Sequence, residues 1–499
     1  MSGTRSTQAA PAATTTVTET SGLLDSILTA TKQTERDRAQ ELVKTLVDQA
    51  LAGTVTFDRN LTQWVEKAVA AIDATLSAQV NAIMHDPKFL KLEGTWRGLH
   101  HLVHTSETST TLKIRVINVS KRALADDFRR AIEFDQSHMF KAVYENGFGI
   151  AGGEPFGAMI GDYEWGPGNE DMETLQGIAG VAGSAFAPFL SASAPEMFGM
   201  ESWTDLNNTR DLAIAFDNPE FVRWRGFRDT EDSRYVSLVL PRVLARVPYG
   251  HETRKIDEFE YEETALGTGG ASLEMPHNDY CWMNAAYTLG TRLTQAFAET
   301  GFCTAIRGAE GGGKVEDLPM HTYLTNTGAR ANKCPTEVNI TDRRDAELGK
   351  LGFIPLVHYK DTNTAVFFSG QTTQKPKLYI DPDATANAAI STRLPVMMAT
   401  ARFAHYLKIM ARDKIGSLIS VEDCEAQLNT WINQFVNSNP NVSAELKAKF
   451  PLRDARIRVE EVADSPGTYN AVAYLRPWLQ LEELNTSLRM VARIPKAAS

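Results

Sequence analysis

The sequence predicts an α/β (α+β) chain of more than one domain, and three observations carry that reading. Its 499 residues exceed one ordinary hydrophobic core and suffice for two or three domains. Apolar residues make up 43% and charged residues 23%, the balance of a globular protein. Between about residue 110 and residue 370, short β-prone runs alternate with stretches of helical periodicity.

The elements follow in chain order. Residues 1–20 are mostly Thr, Ala and Ser, and no aromatic residue precedes Phe57. Such a segment buries too little apolar surface to offset its ordering entropy, so it reads as disordered. It also lacks an apolar stretch of the secretory kind. Leu23, Leu24, Ile27 and Leu28 then fall on one face of a short helix, with Thr20 or Ser21 as its N-cap. A longer helical stripe runs from Trp64 and Val65 through Ala68, Val69, Ile72, Leu76 and Val80 to Ile83, stopped by Asp86-Pro87. Phe89, Leu92, Trp96, Leu99 and Val103 make a second stripe. Leu112, Ile114 and Val116 alternate as in a strand.

Thr174 to Pro195 carries no charge, but it is built from Gly, Ala and Ser with two prolines. It lacks the Leu, Ile and Val density that a bilayer demands and reads as a buried helix running into a buried strand. Further strands are expected at Ala158–Tyr163, Tyr235–Leu240, Leu356–Tyr359 and Val366–Ser369. Residues 384–437 read as two helices, a long one ending near Arg412-Asp413-Lys414 and another from Val421 to Val436. Arg456–Val462 and Tyr469–Leu475 flank Asp464-Ser465-Pro466-Gly467, a hairpin signal, and Leu488–Ile494 is one more β-prone run. The expected division is 1–60, 61–383 and 384–499.

Chemistry-bearing motifs are few. A net charge of −11 argues against a dedicated nucleic-acid binder. Cys281, Cys303, Cys334 and Cys424 lie too far apart for Cys-x-x-Cys pairing, which leaves reduced thiols and no structural zinc. Gly308-Ala309-Glu310-Gly311-Gly312-Gly313-Lys314 has the spacing of a phosphate-binding loop after a possible strand, Cys303 to Ile306. Val315 nevertheless replaces the hydroxyl that would hold magnesium, and Glu310 would sit among phosphates as a like charge. A nucleotide-binding enzyme on this loop is the rival reading. His101 and His104 stand i, i+3 beside His100, within reach of one metal if a further ligand came close. Asp126-Asp127 and Asp232-Ser233-Arg234 read as structural salt links, since no positioned base or nucleophile accompanies them. No catalytic residue, metal site or cofactor site is expected.

An ordered series of motifs resembles the large sheath subunit of bacterial type VI secretion systems, the TssC/VipB (EvpB) family. It begins with Lys91-Leu92-Glu93-Gly94-Thr95-Trp96-Arg97-Gly98-Leu99, then Phe227-Arg228, Asp232-Ser233-Arg234-Tyr235 and Pro248-Tyr249-Gly250. Asn284-Ala285-Ala286-Tyr287, Ile306-Arg307-Gly308 with the triglycine, and Leu318-Pro319-Met320-His321 continue it. Pro335-Thr336-Glu337-Val338, Asp342-Arg343-Arg344, Arg393-Leu394-Pro395 and Arg402-Phe403-Ala404-His405-Tyr406 complete it.

The resemblance implies a structural, non-catalytic subunit that pairs with a small subunit (TssB/VipA) and self-associates as a helical polymer around an Hcp inner tube. A baseplate would anchor the sheath to the envelope complex in the bacterial cytoplasm, without membrane insertion by this chain. The AAA+ unfoldase ClpV would recycle the contracted sheath. By layout, Leu23, Leu24, Ile27 and Leu28 are the expected unfoldase-binding face, in a tail that also meets the small subunit. Ile457, Val459, Val472 and Tyr474 of the hairpin, with Leu488, Met490, Ala492 and Ile494 of the terminal run, are the expected strand-exchange residues. A phage-type sheath working without a small subunit is the second alternative.

Overall fold

In a computed structural model of the chain, the structure describes residue 41 and residues 61–414, 420–461 and 469–478. Two compact units divide the described residues: those of Met1–Leu90 with Val247–Tyr280 and His321–Ala331, and those of Lys91–Arg246 with Cys281–Met320 and Asn332–Ser499. The first carries helix α1 (Leu61–Met84), whose Trp64, Val65 and Ala68 are buried while Val69, Ile72 and Leu76 stay exposed. Polar contacts hold its C-terminal turns, with the Tyr261 hydroxyl donating to Asn81 Oδ1 at 2.6 Å.

In the second unit, the elements run from α2 (Pro87–Thr105) and α3 (Lys121–Arg130) into β1 (Met159–Trp165), α4 (Asn169–Ala185) and β2 (Phe189–Ser193). Next come α5 (Val222–Arg228), β3 (Val236–Leu240), α6 (Ala285–Thr300), β4 (Lys314–Val315), α7 (Asp342–Lys350), β5 (Phe353–His358) and β6 (Ala365–Phe367). The helices α8 (Pro382–Ser391), α9 (Leu394–Asp413), α10 (Val421–Ile432) and α11 (Ala444–Lys449) precede a hairpin of β7 (Leu452–Glu461) and β8 (Tyr469–Pro477).

The central sheet has the order β1-β2-β3-β5-β6-β4, parallel from β1 to β5 and antiparallel beyond. Successive residues point to opposite faces, so Phe189, Leu238 and Phe353 join one core while Leu190, Val239 and Ile354 join another. Leu175, Ile178 and Ala182 of α4 and Trp224 of α5 cover the first face. Ala286, Leu289 and Leu293 of α6 cover the second. The uncharged stretch around residue 180 is therefore a buried helix entering a buried strand, as its composition predicts.

The ladder between β1 and β2 shifts register between Ile160 and Glu164. The Ser191 hydroxyl fills the gap, 2.7 Å from the Gly161 carbonyl and 2.9 Å from that of Tyr163, and accepts from the Trp165 indole at 2.9 Å. A fully buried serine thus satisfies the carbonyls that the break leaves over.

Three expectations are corrected. Leu112–Val116 is not a strand; residues 112–120 form no ladder. Alternation alone does not make a strand where no neighbour offers a complementary edge. Cys303–Ile306 is likewise irregular. The long helix from residue 384 is two helices, broken at Thr392-Arg393. The Thr392 carbonyl accepts from the Thr372 amide and hydroxyl at 3.0 and 2.7 Å, and Pro395 in the first turn of α9 supplies no amide to carry the earlier helix on.

The motif around Lys91–Leu99 is a seating device. Gly94 and Gly98 lie one turn apart on α2, and a Cβ at Gly94 would stand 2.2 Å from the Trp282 carbonyl oxygen. At Gly98 it would stand 2.3 Å from the Tyr287 ring. Beside them Glu93 bonds Arg246 Nε and Arg97 Nε, each at 2.7 Å. Burial would raise the Glu93 pKa, but the two guanidinium groups outweigh it and hold the carboxyl below its usual range. Gly94→Ala should destabilise the chain by about 2 kcal/mol, since a backbone oxygen cannot yield as a side chain does. A thermal melt of the variant beside the parent checks this.

Candidate assembly surfaces

Sequence reasoning points to a hairpin, a terminal strand and an amphipathic tail. Leu23, Leu24, Ile27 and Leu28, like Leu488, Met490, Ala492 and Ile494, lie outside the described residues. The hairpin residues are described. Strand β7 pairs with β8 through nine antiparallel partners, Arg456 facing Tyr474, Ile457 facing Ala473 and Arg458 facing Val472.

The hairpin's two faces differ. Ile457 is buried with Phe403 of α9 and with Leu428 and Ile432 of α10, and Val459, Ala473 and Leu475 pack on that cluster. Val472 and Tyr474 turn outward, the latter 56% exposed, beside exposed Arg456 and Arg458. Of the four hairpin residues singled out, two therefore fix the hairpin to its helices and two remain on the surface.

Its two edges differ as well. The Asn429 side chain on α10 accepts from the Ile457 amide at 2.9 Å and donates to the Ile457 carbonyl at 2.7 Å. Glu425 accepts from the Val459 amide at 3.0 Å. These side chains occupy the outer edge of β7 as a neighbouring strand would. On β8, Ala471, Ala473 and Leu475 face away from β7 by the same alternation, and their main-chain groups meet no partner among the described residues. The asymmetry was not legible in the sequence, because Asn429 and Glu425 read as two polar positions on a helix.

A second surface lies along α2. Burial of its Glu93, Gly94, Gly98 and Leu102 face turns the apolar stripe outward, with Leu92 exposed and Trp96 64% exposed. Residues 112–119 run beside it, and Val116 (65%) and Ile117 are exposed too. Together they line a groove of about 1460 Å³. Apolar surface of this kind is normally covered in an assembly.

The catalytic lures dissolve on inspection. In the glycine loop, the Gly308 amide donates to the Phe367 carbonyl at 2.7 Å, and the Gly313 amide to Gly308 at 2.9 Å. Amides spent on the sheet do not cradle a phosphate. Gly312 adopts φ +88, and a Cβ there would lie 2.2 Å from the Ala305 carbonyl oxygen. The glycines are thus required for close approach of backbones. Lys314 begins strand β4, not a helix, and pairs with Glu316 at 2.5 Å.

Nor do His101 and His104 come together. The rings of His100 and His104 stack at 3.7 Å, while His101 turns inward, where burial and the Arg292 charge lower its pKa. Asp126 pairs with Arg129 at 3.0 Å, and Asp127 accepts from His138 Nδ1 at 2.7 Å. The Ser233 hydroxyl is spent on the Thr230 carbonyl at 2.6 Å. Among the described residues no group of three or more His, Cys, Asp or Glu is placed to hold a metal. No described helix is long and apolar enough to cross a membrane.

Comparison with known proteins gives the family. The family description "EvpB/VC_A0108, tail sheath N-terminal domain" matches residues 66–374, and "EvpB/VC_A0108, tail sheath gpW/gp25-like domain" matches residues 383–494. The chain is 44% identical over 489 residues to the type VI secretion system sheath protein TssC1 of Pseudomonas aeruginosa, covering 97% of each. A chain of the anti-feeding prophage baseplate, solved by cryo-electron microscopy, matches with a TM-score of 0.35 and 11% identity, over 64% of this chain and 66% of that one.

Lys314→Ala should leave assembly with the small subunit and sheath contraction unchanged, because among the described residues the lysine side chain pairs with the exposed Glu316 carboxylate. Negative-stain microscopy of co-expressed sheaths, before and after triggering, provides the check. Loss of contraction with assembly preserved would return the loop to a functional role.

Proposed function

Because this chain belongs to the EvpB/VC_A0108 tail sheath family of type VI secretion, we propose that it works mechanically, as a lattice subunit without a catalytic step. It is the structural large subunit of the contractile sheath. Its partners are a small subunit and further copies of itself, since heterologous contacts that do not close generate helical filaments. The inner tube, the baseplate and the recycling unfoldase complete the proposed set, with the sheath in the bacterial cytoplasm.

The observation that carries the reading is the hairpin edge. A β8 edge whose main-chain groups at Ala471, Ala473 and Leu475 meet no partner among the described residues, on a hairpin fastened to α9 and α10, suits acceptance of a strand from a neighbouring protomer. We assign Leu488, Met490, Ala492 and Ile494 to the strand this chain donates, on the linker Pro477–Asn485. Ile457 and Val459 anchor the acceptor, while Val472 and Tyr474 lie on its outer face. Residues 384–499 would then be the sheath core, 61–383 the body that moves, and 1–60 a tail carrying the unfoldase signal. A donated strand is a tether whose main-chain ladder survives while the bodies rotate. Force is stored as a metastable lattice packing and released on switching to a second packing.

Two experiments test this. Deleting Ser487–Ser499 should leave a heterodimer with the small subunit but no long sheath; full-length tubules without those residues would overturn the strand assignment. For the tail, Leu23, Leu24, Ile27 and Leu28 would fill an apolar groove, each buried side chain contributing on the order of 1.5–3 kcal/mol. Leu24→Asp with Ile27→Asp should abolish ClpV pull-down from contracted sheaths while sheath assembly persists. Undiminished capture would sink that assignment.

A further inference from the structure

We propose that the exposed apolar stripe of α1 is the docking face for residues 42–51 of the same chain, which pack on it as the second arm of a helical hairpin. Val69, Ile72, Leu76 and Ile83 fall at i, i+3, i+7 and i+14 along α1, the spacing of a heptad seam. Val69, Ile72 and Leu76 are each 41% exposed and Ile83 is 61% exposed. One turn ahead of Val69, Val65 is buried, so the seam is covered at its start and bare beyond. Single apolar side chains on a surface are ordinary, but a row of them in register along one helix is the face that a partner helix takes.

The chain that leads into α1 carries the complement. Leu42, Val43, Leu46, Val47, Ala50 and Leu51 make one helical stripe, and Gly53 follows as a helix-ending residue. Residues 42–60 lie outside the described residues, and α1 begins at Leu61, so only residues 52–60 separate the stripe from its target. A linker of that length reaches about 30 Å when extended. An antiparallel arm sets Leu42 beside Leu76, Leu46 beside Ile72 and Ala50 beside Val69. The linker then covers about 10 Å along α1 and about 10 Å across to it, well within reach. So short a tether holds the arm at the seam in millimolar effective concentration, ahead of any partner arriving from solution.

Charge selects the antiparallel direction. Asp73 flanks the α1 seam beside Ile72, and Lys44 flanks the opposing stripe. In the register above, an antiparallel arm brings Lys44 and Asp73 to one level and one side, whereas a parallel arm sets them on opposite sides. Residues 29–40 hold no Leu, Ile, Val or aromatic residue, so the hairpin ends near Leu42 and leaves Ile83 outside it. The tail ahead of residue 42 is thereby tied to one point on α1.

A helix as short as 42–51 is marginal in water on its own, so its amides are protected only while it is docked. Hydrogen exchange of the full chain, co-purified with its small subunit, should therefore show amides 42–51 slowed at least about ten-fold relative to an unstructured peptide. Ile72→Asp, at an exposed position of α1, should abolish that protection with an unchanged thermal melt. No protection in the parent, or protection that survives Ile72→Asp, overturns the proposal. Should Ile72→Asp melt early, a pair of disulfide variants decides. Leu46→Cys with Ile72→Cys should close within one chain under mild oxidation, read by peptide mass spectrometry. Leu46→Cys with Ala74→Cys, on the opposite face of α1, should close at least about ten-fold more slowly. Equal rates for the two pairs refute the hairpin, and a bond joining two chains assigns the seam to a second copy instead.

Discussion

Three adjacent parallel strands, β2, β3 and β5, are buried on both faces and set the terms for the rest of the second unit. A sheet in that position has no solvent to satisfy its backbone, so each strand must pair on both sides or be closed by side chains. At the β1–β2 register break this falls to Ser191, which takes up the Gly161 and Tyr163 carbonyls. At the far end of the sheet, the triglycine turn returns the chain to Phe367 so closely that no Cβ fits at Gly312 or Gly313. A motif with the spacing of a nucleotide loop is a packing solution at a sheet margin.

Covering two faces also dictates which surfaces are left over. On α2 the buried side is the unusual one, two glycines and a paired glutamate, and the apolar stripe with Trp96 is displaced outward. For a monomer such an exposed apolar stripe would be a liability, and surfaces of this kind are normally covered in an assembly. The hairpin follows the same logic. Asn429 and Glu425 close one edge with side chains, and the other edge meets no partner among the described residues. Closing one edge from within and leaving one for a neighbour would give the proposed strand exchange a direction.

The reactive side chains of the second unit differ in fate by environment. Cys281 and Cys303 are quenched by burial, and His101 is turned inward beside Arg292.

The sequence by itself determined the alternation of helix and strand, the buried helix around residue 180, the terminal hairpin and the family. These rest on local periodicity, turn residues and ordered motifs, which act over a few residues. It also showed, through Val315 and Glu310, that the glycine loop was a poor phosphate site. What only the tertiary structure decided was which face of each element is used. Leu112–Val116 alternates yet forms no ladder among the described residues, and α2 buries Gly94 and Gly98 with Leu102 while Leu92 and Trp96 stay exposed. The hairpin's open side is set by two polar residues on a helix some thirty positions away, at 28 and 34. Periodicity specifies a face, but the partner that claims it is chosen by packing among segments distant in the chain, and no local pattern records that choice.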